Sequence, residues 1–261
     1  MGVLNVTPDS FSDGGRYLDP TEAVAQGRRL VAEGADIVDV GGESSRPGAR
    51  PVDEATELRR VVPVVEALAS EVRVSVDTVK PAVARAAVAA GASLVNDVSA
   101  TLADVAAEIG AGYIVMHRQG TPATMQQAPH YDDVVAEVSE FLATRAAHAA
   151  QTGIDEVWID PGIGFGKSHE HNLTLLRHLD RLVALGHPVL VGTSRKGFLG
   201  RLVARSDDGR PGRVPGAEVA RIEDRLEASL TTATWAMAQG AAMVRVHDVL
   251  PTVQAAKVVA A

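Results

Sequence analysis

This sequence of 261 residues contains no cysteine. The chain therefore has no disulfide bonds, no thiolate nucleophile and no cysteine-ligated zinc. It also lacks any apolar run of the roughly 18 residues that a transmembrane helix needs. The N-terminus lacks the basic and apolar regions of a signal peptide. We therefore expect a cytoplasmic protein with no membrane partner.

Aromatic residues and lysine are scarce. Aromatics make up 3% of a chain that is 46% hydrophobic, so a sizeable core must consist mainly of alanine, valine, leucine and isoleucine. Lysine occurs at positions 80, 167, 196 and 257, against 21 arginines. Because arginine serves wherever a generic cation suffices, each retained lysine favours a site that needs a compact ammonium group.

The formal net charge of the chain is −8. This charge argues against non-specific nucleic-acid binding, for which a basic face is expected. It does not exclude an anionic small-molecule substrate, because a local cluster of arginine and lysine can outweigh the mean charge.

The sequence alternates between short runs rich in valine, isoleucine and leucine and longer alanine-rich segments with helical spacing. The predicted strands are Met1–Val6, Asp36–Gly41, Val72–Asp77, Ser93–Asp97, Gly112–His117, Val157–Asp160, Pro188–Gly192 and Ala242–Val246. The predicted helices lie near 21–33, 54–69, 81–90, 103–110, 132–152, 170–184, 217–239 and 250–260. A polar insertion rich in glycine and proline, 205–216, is predicted as a surface loop.

The predicted strands are apolar throughout, which is typical of parallel strands covered on both faces. A doubly wound open sheet would give similar units. Eight regular β/α units in one chain of this length favour the closed alternative. The sequence therefore predicts an α/β fold, a single-domain (β/α)8 TIM barrel over residues 1–261.

Two loops that follow predicted strands have unusual compositions. The segment 5–15, Asn-Val-Thr-Pro-Asp-Ser-Phe-Ser-Asp-Gly-Gly, places the large apolar side chain of Phe11 among turn residues. One interpretation is a surface turn with Phe11 tucked beneath it. The other is a loop that closes over a ligand, with Phe11 as its wall and Asp9 and Asp13 as polar contacts. The segment 41–48 is a second loop rich in glycine and hydroxyl groups, and it carries Arg46.

Polar residues stand at the ends of the predicted strands, where a (β/α)8 barrel carries its active site. They are Asn5, Asp77, Asn96, Asp97, His117, Asp160, Ser194, Arg195, Lys196, Arg245 and His247. Each has an alternative structural role. Asp77 and Asp97 could cap the helices that follow them, His117 and His247 could be core histidines, and Arg245 could form a salt bridge at the barrel mouth. Their convergence on one barrel mouth favours a ligand site.

Such a mouth suits a flat, anionic ligand. Carboxylates can pair with the adjacent N–H and amino groups of a 2-amino-4-oxo-pyrimidine ring, and Arg245 can stack on its face. Arg46 and His247 can meet a phosphate group. No nucleophile–base pair is evident, and Asn5 alone is a weak metal ligand. The run 162–166, Gly-Ile-Gly-Phe-Gly, resembles a dinucleotide fingerprint only loosely and is interpreted as a tight loop.

Several longer motifs occur in order along the chain. They are 5–15, 41–48, Ser75–Thr78, Leu94–Ser99, Met116–Gln126, Asp160–Phe165, Gly192–Lys196 and Arg245–Asp248. Together they resemble the dihydropteroate synthase family over the whole chain. The resemblance implies a barrel that is commonly a homodimer. It implies an enzyme of folate biosynthesis that joins 6-hydroxymethyl-7,8-dihydropterin diphosphate to 4-aminobenzoate with Mg²⁺, and that is a sulfonamide target.

The resemblance also assigns roles to residues. The pterin ring would be bound by Asp77, Asn96, Asp160 and Lys196, with Arg245 stacked on it. The diphosphate would be held by Ser45, Arg46, His247 and Asn5, of which Asn5 would also bind Mg²⁺. Aminobenzoate would be framed by Phe11, Pro47, Ser194 and Lys196. The catalytic group would comprise Lys196, Asp77, Arg46 and Asp13. Position 45 departs mildly from the family, because many members have threonine there.

Two rival functions are distinguishable. A methyltetrahydrofolate methyltransferase that acts with a corrinoid protein would share the ring-binding residues, but it should lack Ser45-Arg46-Pro47 and the 5–15 loop. A non-catalytic paralogue should have lost Lys196, Arg46 or Asp77. All of these features are retained. Whether bond cleavage precedes attack by the amine remains open at the level of sequence.

Overall fold

The computed structural model describes residues 1–7, 20–44, 49, 51–121, 123–206 and 219–261. Its strands are β1 (Gly2–Asn5), β2 (Ile37–Gly41), β3 (Arg73–Asp77), β4 (Leu94–Asp97), β5 (Gly112–Met116), β6 (Val157–Asp160), β7 (Leu190–Val191) and β8 (Met243–Val244). Its α-helices are α1 (Pro20–Ala32), α2 (Glu54–Leu68), α3 (Pro81–Ala89), α4 (Ala103–Glu108), α5 (Val134–Gln151), α6 (His169–Arg177), α7 (Leu179–Val183), α8 (Gly197–Ser206), α9 (Leu226–Ala238) and α10 (Val249–Val259).

The eight strands form one closed parallel ring. Strands β1 to β6 pair in sequence order, and β7 pairs with β8. Two isolated parallel bridges, Ile159 with Val189 and Gly2 with Val246, join these two sets at both edges. Closure leaves no unpaired sheet edge. The predicted (β/α)8 barrel is therefore confirmed.

The alternation of side chains along each strand divides the core into two parts. Outward-facing residues such as Val38, Val40 and Val76 pack with the helices in a large aliphatic layer. Inward-facing residues fill the N-terminal end of the barrel as a small separate cluster, which consists of Met1, Ile37, Leu94, Ile114 and Leu190 with Trp158 and Met243 packed against it. This apolar floor closes one end of the barrel, so the polar groups of the interior face the other end.

Most predicted helix boundaries agree with the structure to within a few residues, but three predictions are wrong. Helix α8 was not predicted, because Gly197 and Gly200 lower helix propensity there. A Cβ on Gly200 would lie 2.6 Å from Nε of Arg225, so tertiary packing requires that glycine. The predicted helix 170–184 is broken at His178 into α6 and α7. The helix predicted from 217 begins as a 3-10 turn at Ile222.

The predicted insertion 205–216 begins inside α8, which ends at Ser206, and 207–218 lie outside the described residues. Within the segments that the structure describes, no helix combines the length and apolar character needed to cross a bilayer.

Candidate active site

Six polar side chains, four from strands and two from the segments that follow β7 and β8, meet inside the C-terminal half of the barrel. This strand-end pocket consists of Asp39, Asp77, Asn96, Asp160, Lys196 and Arg245. The strand register brings the groups together, because Gly41 lies opposite Asp77 and Asp77 lies opposite Asn96. The pocket holds three carboxylates and two cations above the apolar floor.

Arg245 is the central cation of the pocket. Its Nε donates to Oδ2 of Asp39 at 2.6 Å, and its Nη2 donates to Oδ2 of Asp77 at 2.8 Å. Burial disfavours the charge of Arg245, but Asp39 and Asp77 outweigh that effect and raise its pKa. Because one edge of the guanidinium is held by two carboxylates, its orientation is fixed and its flat face remains available for stacking.

The carboxyl group of Asp77 has a raised pKa. Burial raises the pKa of its carboxyl to about 7; Arg245 opposes this rise, while Asp39, Glu57 and Asp97 add to it. A carboxyl with this pKa exchanges a proton near neutral pH. Asp77 can therefore either accept or donate a hydrogen bond to a ligand, depending on its protonation.

Lys196 and Asp160 form the opposite side of the pocket. Burial lowers the pKa of Lys196 to about 8, against the opposing charge of Asp160. Burial likewise raises the pKa of Asp160, and Lys196 opposes that shift. The Lys196 ammonium donates to the carbonyl of Ile163 and lies 4.6 Å from the centroid of the Phe165 ring. Oδ1 of Asp160 accepts from the amide of Gly162 at 2.7 Å.

Three buried polar atoms near the base of the pocket lack a hydrogen-bond partner among the described residues. They are Oδ1 of Asp39, Oγ of Ser75 and Oδ1 of Asn96. Nδ2 of Asn96 donates to Oδ2 of Asp39 at 3.0 Å, which fixes the orientation of both groups. Buried polar atoms in native proteins are almost always paired. These two acceptors and one hydroxyl are therefore suited to a ligand that offers N–H donors.

Ser194, His247 and Asn5 lie at the rim. Oγ of Ser194 accepts from the amide of His247 at 3.1 Å and lies 3.0 Å from its Nδ1, so the two side chains are held together. Asn5 ends β1 opposite Gly41 and is partly exposed. The remaining predicted site residues, Ser45, Arg46, Pro47, Phe11 and Asp13, lie outside the described residues, as does Asp9.

Two strand-end residues have structural roles instead of facing the pocket. Asp97 accepts from the amides of Thr101 and Leu102 at 2.7 and 2.8 Å and from the Tyr113 hydroxyl, so it holds the turn before α4. His117 packs edge-on against Phe141 of α5, with ring centroids 4.9 Å apart. His117 is therefore a core histidine, whereas Asp97 holds the turn and does not cap α4, whose N-cap residue is Leu102.

Asp39 was missed by the sequence analysis because it lies within β2 and not at its end. It is fully buried and contacts both Arg245 and Asn96. One signal could have identified it, since a single carboxylate in an otherwise apolar strand must be paired if it is buried. The sequence analysis also assigned no binding role to the loop after β6, although this loop supplies contacts to Lys196 and Asp160.

Comparison with known proteins gives consistent matches over the whole chain. A family model described as pterin binding enzyme matches residues 1–247. The dihydropteroate synthase of Mycobacterium leprae (strain TN) is 50% identical over 270 residues, covering 100% of this chain and 92% of that protein.

Two solved structures extend the similarity to the fold. Yersinia pestis dihydropteroate synthase, in a sulfonamide drug complex, superposes with a TM-score of 0.87 at 42% identity, covering 99% of this chain and 91% of that one. The Xanthomonas albilineans enzyme in complex with 7,8-dihydropteroate gives a TM-score of 0.83 at 45% identity, covering 98% and 90%.

Proposed function

This chain belongs to the dihydropteroate synthases, and from that membership we propose that it binds its pterin substrate in the strand-end pocket. The reaction joins 6-hydroxymethyl-7,8-dihydropterin diphosphate to 4-aminobenzoate and releases pyrophosphate. The protein is thus a transferase of folate biosynthesis and a sulfonamide target. The pterin assignment rests on one observation. The six side chains of the strand-end pocket surround a single polar space, and they are Asp39, Asp77, Asn96, Asp160, Lys196 and Arg245.

The donors and acceptors of the pocket complement the edge of a pterin. Asp77, Asn96 and Asp160 offer oxygen acceptors to the ring N–H and amino groups, and carboxylates can pair with two adjacent donors at once. The Lys196 ammonium offers a donor to an acceptor atom of the ring. Arg245, held in plane by Asp39 and Asp77, stacks on the ring face. Burial strengthens each of these contacts, because water competes poorly in the pocket.

The reaction needs no protein nucleophile, and none is evident in the pocket. The aromatic amine of 4-aminobenzoate attacks the methylene carbon as it stands. Positive charge that develops on the pterin during departure of pyrophosphate is stabilised by Asp77 and Asp160. His247 at the rim, held by Ser194 at 3.0 Å, serves the diphosphate together with Ser45 and Arg46. Phe11, Pro47, Ser194 and Lys196 frame aminobenzoate, and Asp13 completes the catalytic group.

Magnesium fits the donor set at the rim. Asn5 is partly exposed and its amide makes no side-chain hydrogen bond to another described residue. The described segments hold no group of three histidine, aspartate or glutamate side chains that could cage a metal. Mg²⁺ commonly keeps several waters and takes its other ligands from substrate phosphates. We propose that Asn5 would hold Mg²⁺ together with the diphosphate, and the bound ion would supply positive charge that stabilises the leaving group.

A homodimer is the proposed assembly. Four large apolar side chains on adjacent helices are exposed, namely Trp235 on α9 and Leu250, Val258 and Val259 on α10. Helices α9 and α10 pack against each other on the outside of the barrel. Exposed apolar side chains on two packed outer helices are suited to pairing with a second copy. Analytical ultracentrifugation should give twice the monomer mass, and Leu250→Glu should shift the protein to the monomer.

A direct assay tests the proposed function. The purified chain is mixed with the pterin diphosphate, 4-aminobenzoate and Mg²⁺, and dihydropteroate and pyrophosphate are measured separately. Equal amounts of both products are expected, and formation should stop when either substrate or Mg²⁺ is omitted. Pyrophosphate release without dihydropteroate would instead indicate a hydrolase. Asp77→Asn and Asp160→Asn test the location of the site. Both variants should lose product formation and bind the pterin more weakly.

A further inference from the structure

Lys167 is a buried lysine that the proposed mechanism does not use. It is one of four lysines in the chain, and its side chain is almost completely buried. It lies in the β6–α6 loop, residues 161–168, whose glycines 162, 164 and 166 all have positive φ. A lysine in such a place must be paired, because burial of an unpaired ammonium is costly.

Four acceptors lie within 3.5 Å of the Lys167 amino group, the farthest being the carbonyl oxygen of His117 at 3.5 Å. Burial lowers the pKa of Lys167 to about 7, against the opposing charge of Asp160. Nζ lies 2.8 Å from Nδ1 of His117, 3.1 Å from the carbonyl oxygen of Gly162 and 3.1 Å from that of Phe165. Burial, and to a lesser extent the charge of Lys167, lower the pKa of His117 to about 3. The imidazole is therefore neutral, and its Nδ1 can accept from the ammonium when Nε2 carries the proton.

The other side of the same loop faces the strand-end pocket. The carbonyl of Ile163 accepts from the Lys196 ammonium, and the Phe165 ring lies beneath that ammonium. The amide of Gly162 donates to Oδ1 of Asp160. Ile163 and its neighbours thus set the positions of two side chains that we assign to the pterin.

Two other carbonyls of the loop accept hydrogen bonds from different side chains. Nε2 of Gln126 donates to the Gly164 carbonyl at 2.7 Å, and the Tyr131 hydroxyl donates to the Gly166 carbonyl at 2.8 Å. Lys167 therefore supplies side-chain donors to the two carbonyls that flank the pocket-facing segment 163–164. Its ammonium ties that segment to His117 on the outer side of β5.

We propose that Lys167 is a positioning residue for pterin binding. Its ammonium holds the Gly162 and Phe165 carbonyls against His117, and the loop thereby presents the Ile163 carbonyl, the Phe165 ring and the Gly162 amide to Lys196 and Asp160. Lys167 itself does not contact the substrate. This inference rests on the proposed pterin site.

Lys167→Met tests the inference, because methionine keeps most of the apolar stem and removes the ammonium. The Michaelis constant for the pterin diphosphate should rise about 10- to 100-fold, as expected for a misplaced binding group. The constant for 4-aminobenzoate, measured at saturating pterin, should change much less. Lys257→Met, which removes an exposed lysine on α10, is the matched control and should behave like the wild type. An unchanged pterin constant in Lys167→Met would overturn the proposal.

A spectroscopic measurement separates positioning from general destabilisation. When lysine is labelled with carbon-13 at Cε, the NMR spectrum of the chain contains four side-chain resonances. The resonance that disappears in Lys196→Arg is that of Lys196. In Lys167→Met the Lys196 resonance should move while those of Lys80 and Lys257 stay in place. A lower melting temperature with an unmoved Lys196 resonance would show that Lys167 only stabilises the fold, which contradicts the proposal.

A second pair of variants serves if Lys167→Met does not fold. Asparagine at position 117 retains an oxygen acceptor near the place of Nδ1, whereas leucine removes it. His117→Leu should weaken pterin binding and His117→Asn should restore most of it; equal constants in the two variants would count against the proposal.

Lys196→Ala distinguishes failure of the proposed pterin site from failure of the positioning role of Lys167. If Lys196→Ala binds pterin normally, the proposed pterin site is wrong. If Lys196→Ala binds pterin weakly but Lys167→Met binds it normally, the pterin site stands and only the positioning role of Lys167 is rejected.

Discussion

Arg245 and Asp39 are joined across the barrel interior although they lie 206 residues apart in sequence, with Nε of Arg245 donating to Oδ2 of Asp39 at 2.6 Å. Asp39 lies on β2 and Arg245 directly follows β8. The two meet because the bridge between Gly2 and Val246 closes the ring of strands. Asp39 is completely buried. The pair therefore depends on closure of the barrel and at the same time fixes the guanidinium that we propose stacks on the pterin.

The first prediction concerns the loss of this pair. Asp39→Leu should lower the free energy of unfolding by about 3 kcal/mol, because removing one partner of a buried ion pair leaves the other uncompensated. Asp77 still pairs with Arg245, which holds the cost near that value. Asp39→Asn keeps an acceptor and should cost less. Urea unfolding measures both. The exposed pair of Arg28 and Glu71 provides a control, since Glu71→Ala removes a solvent-screened ion pair and should cost much less than Asp39→Leu.

The second prediction concerns Lys196. Lys196→Ala should abolish turnover, with kcat/KM for the pterin diphosphate reduced at least about 100-fold, because the ammonium lies in the pocket with a pKa lowered to about 8. The fold should remain intact by circular dichroism. Lys257→Ala is the control for the loss of a lysine outside the pocket. Near-normal turnover in Lys196→Ala would show that its ammonium does not contact the reacting system.

The third prediction is a bell-shaped pH dependence of kcat/KM for the pterin diphosphate. Asp77, with a pKa of about 7, must lose its proton to accept from the ring, so activity should rise as pH increases through 7. Lys196, with a pKa of about 8, loses its charge above that value, so activity should fall again. The maximum should lie between these values. Asp77→Asn should remove the acidic limb from the residual activity, and an unchanged limb would exclude Asp77 as its source.

Much of the site could be predicted from sequence because two regularities apply. The strand ends of a parallel barrel meet at one face, so the sequence alone predicts that Asp77, Asn96, Asp160 and Arg245 lie close together. Alternation along the strand could also have separated Asn96, which points inward, from its neighbour Asp97, which holds a turn.

Other features depend on tertiary contacts that no local pattern encodes. Asp39 became recognisable only through its partner Arg245, which is distant in sequence. Helix α8 contains Gly197 and Gly200, and the second glycine is required by the approach of Arg225 from another element. The role of the β6–α6 loop likewise depends on Lys167 meeting His117 across 50 residues of chain.

The last prediction tests how tightly that loop is fixed. Gly162 has a φ of +63°, and a Cβ there would lie 1.8 Å from the carbonyl oxygen of His117. Gly110 has a φ of +67°, but a Cβ there would meet no atom within 4 Å. The two glycines therefore share their backbone conformation and differ in their surroundings. Alanine at either position should cost about 1–2 kcal/mol through left-handed strain.

Only Gly162→Ala must also displace the loop from His117, which moves the Gly162 amide away from Asp160 and the Ile163 carbonyl away from Lys196. We expect its Michaelis constant for the pterin diphosphate to rise at least about tenfold, while Gly110→Ala keeps wild-type kinetics. Steady-state kinetics and urea unfolding on both variants make the comparison. If the two variants lost equal stability and both retained normal pterin kinetics, the pocket would tolerate movement of the β6–α6 loop, and the geometry at Lys196 would have to be maintained by other contacts.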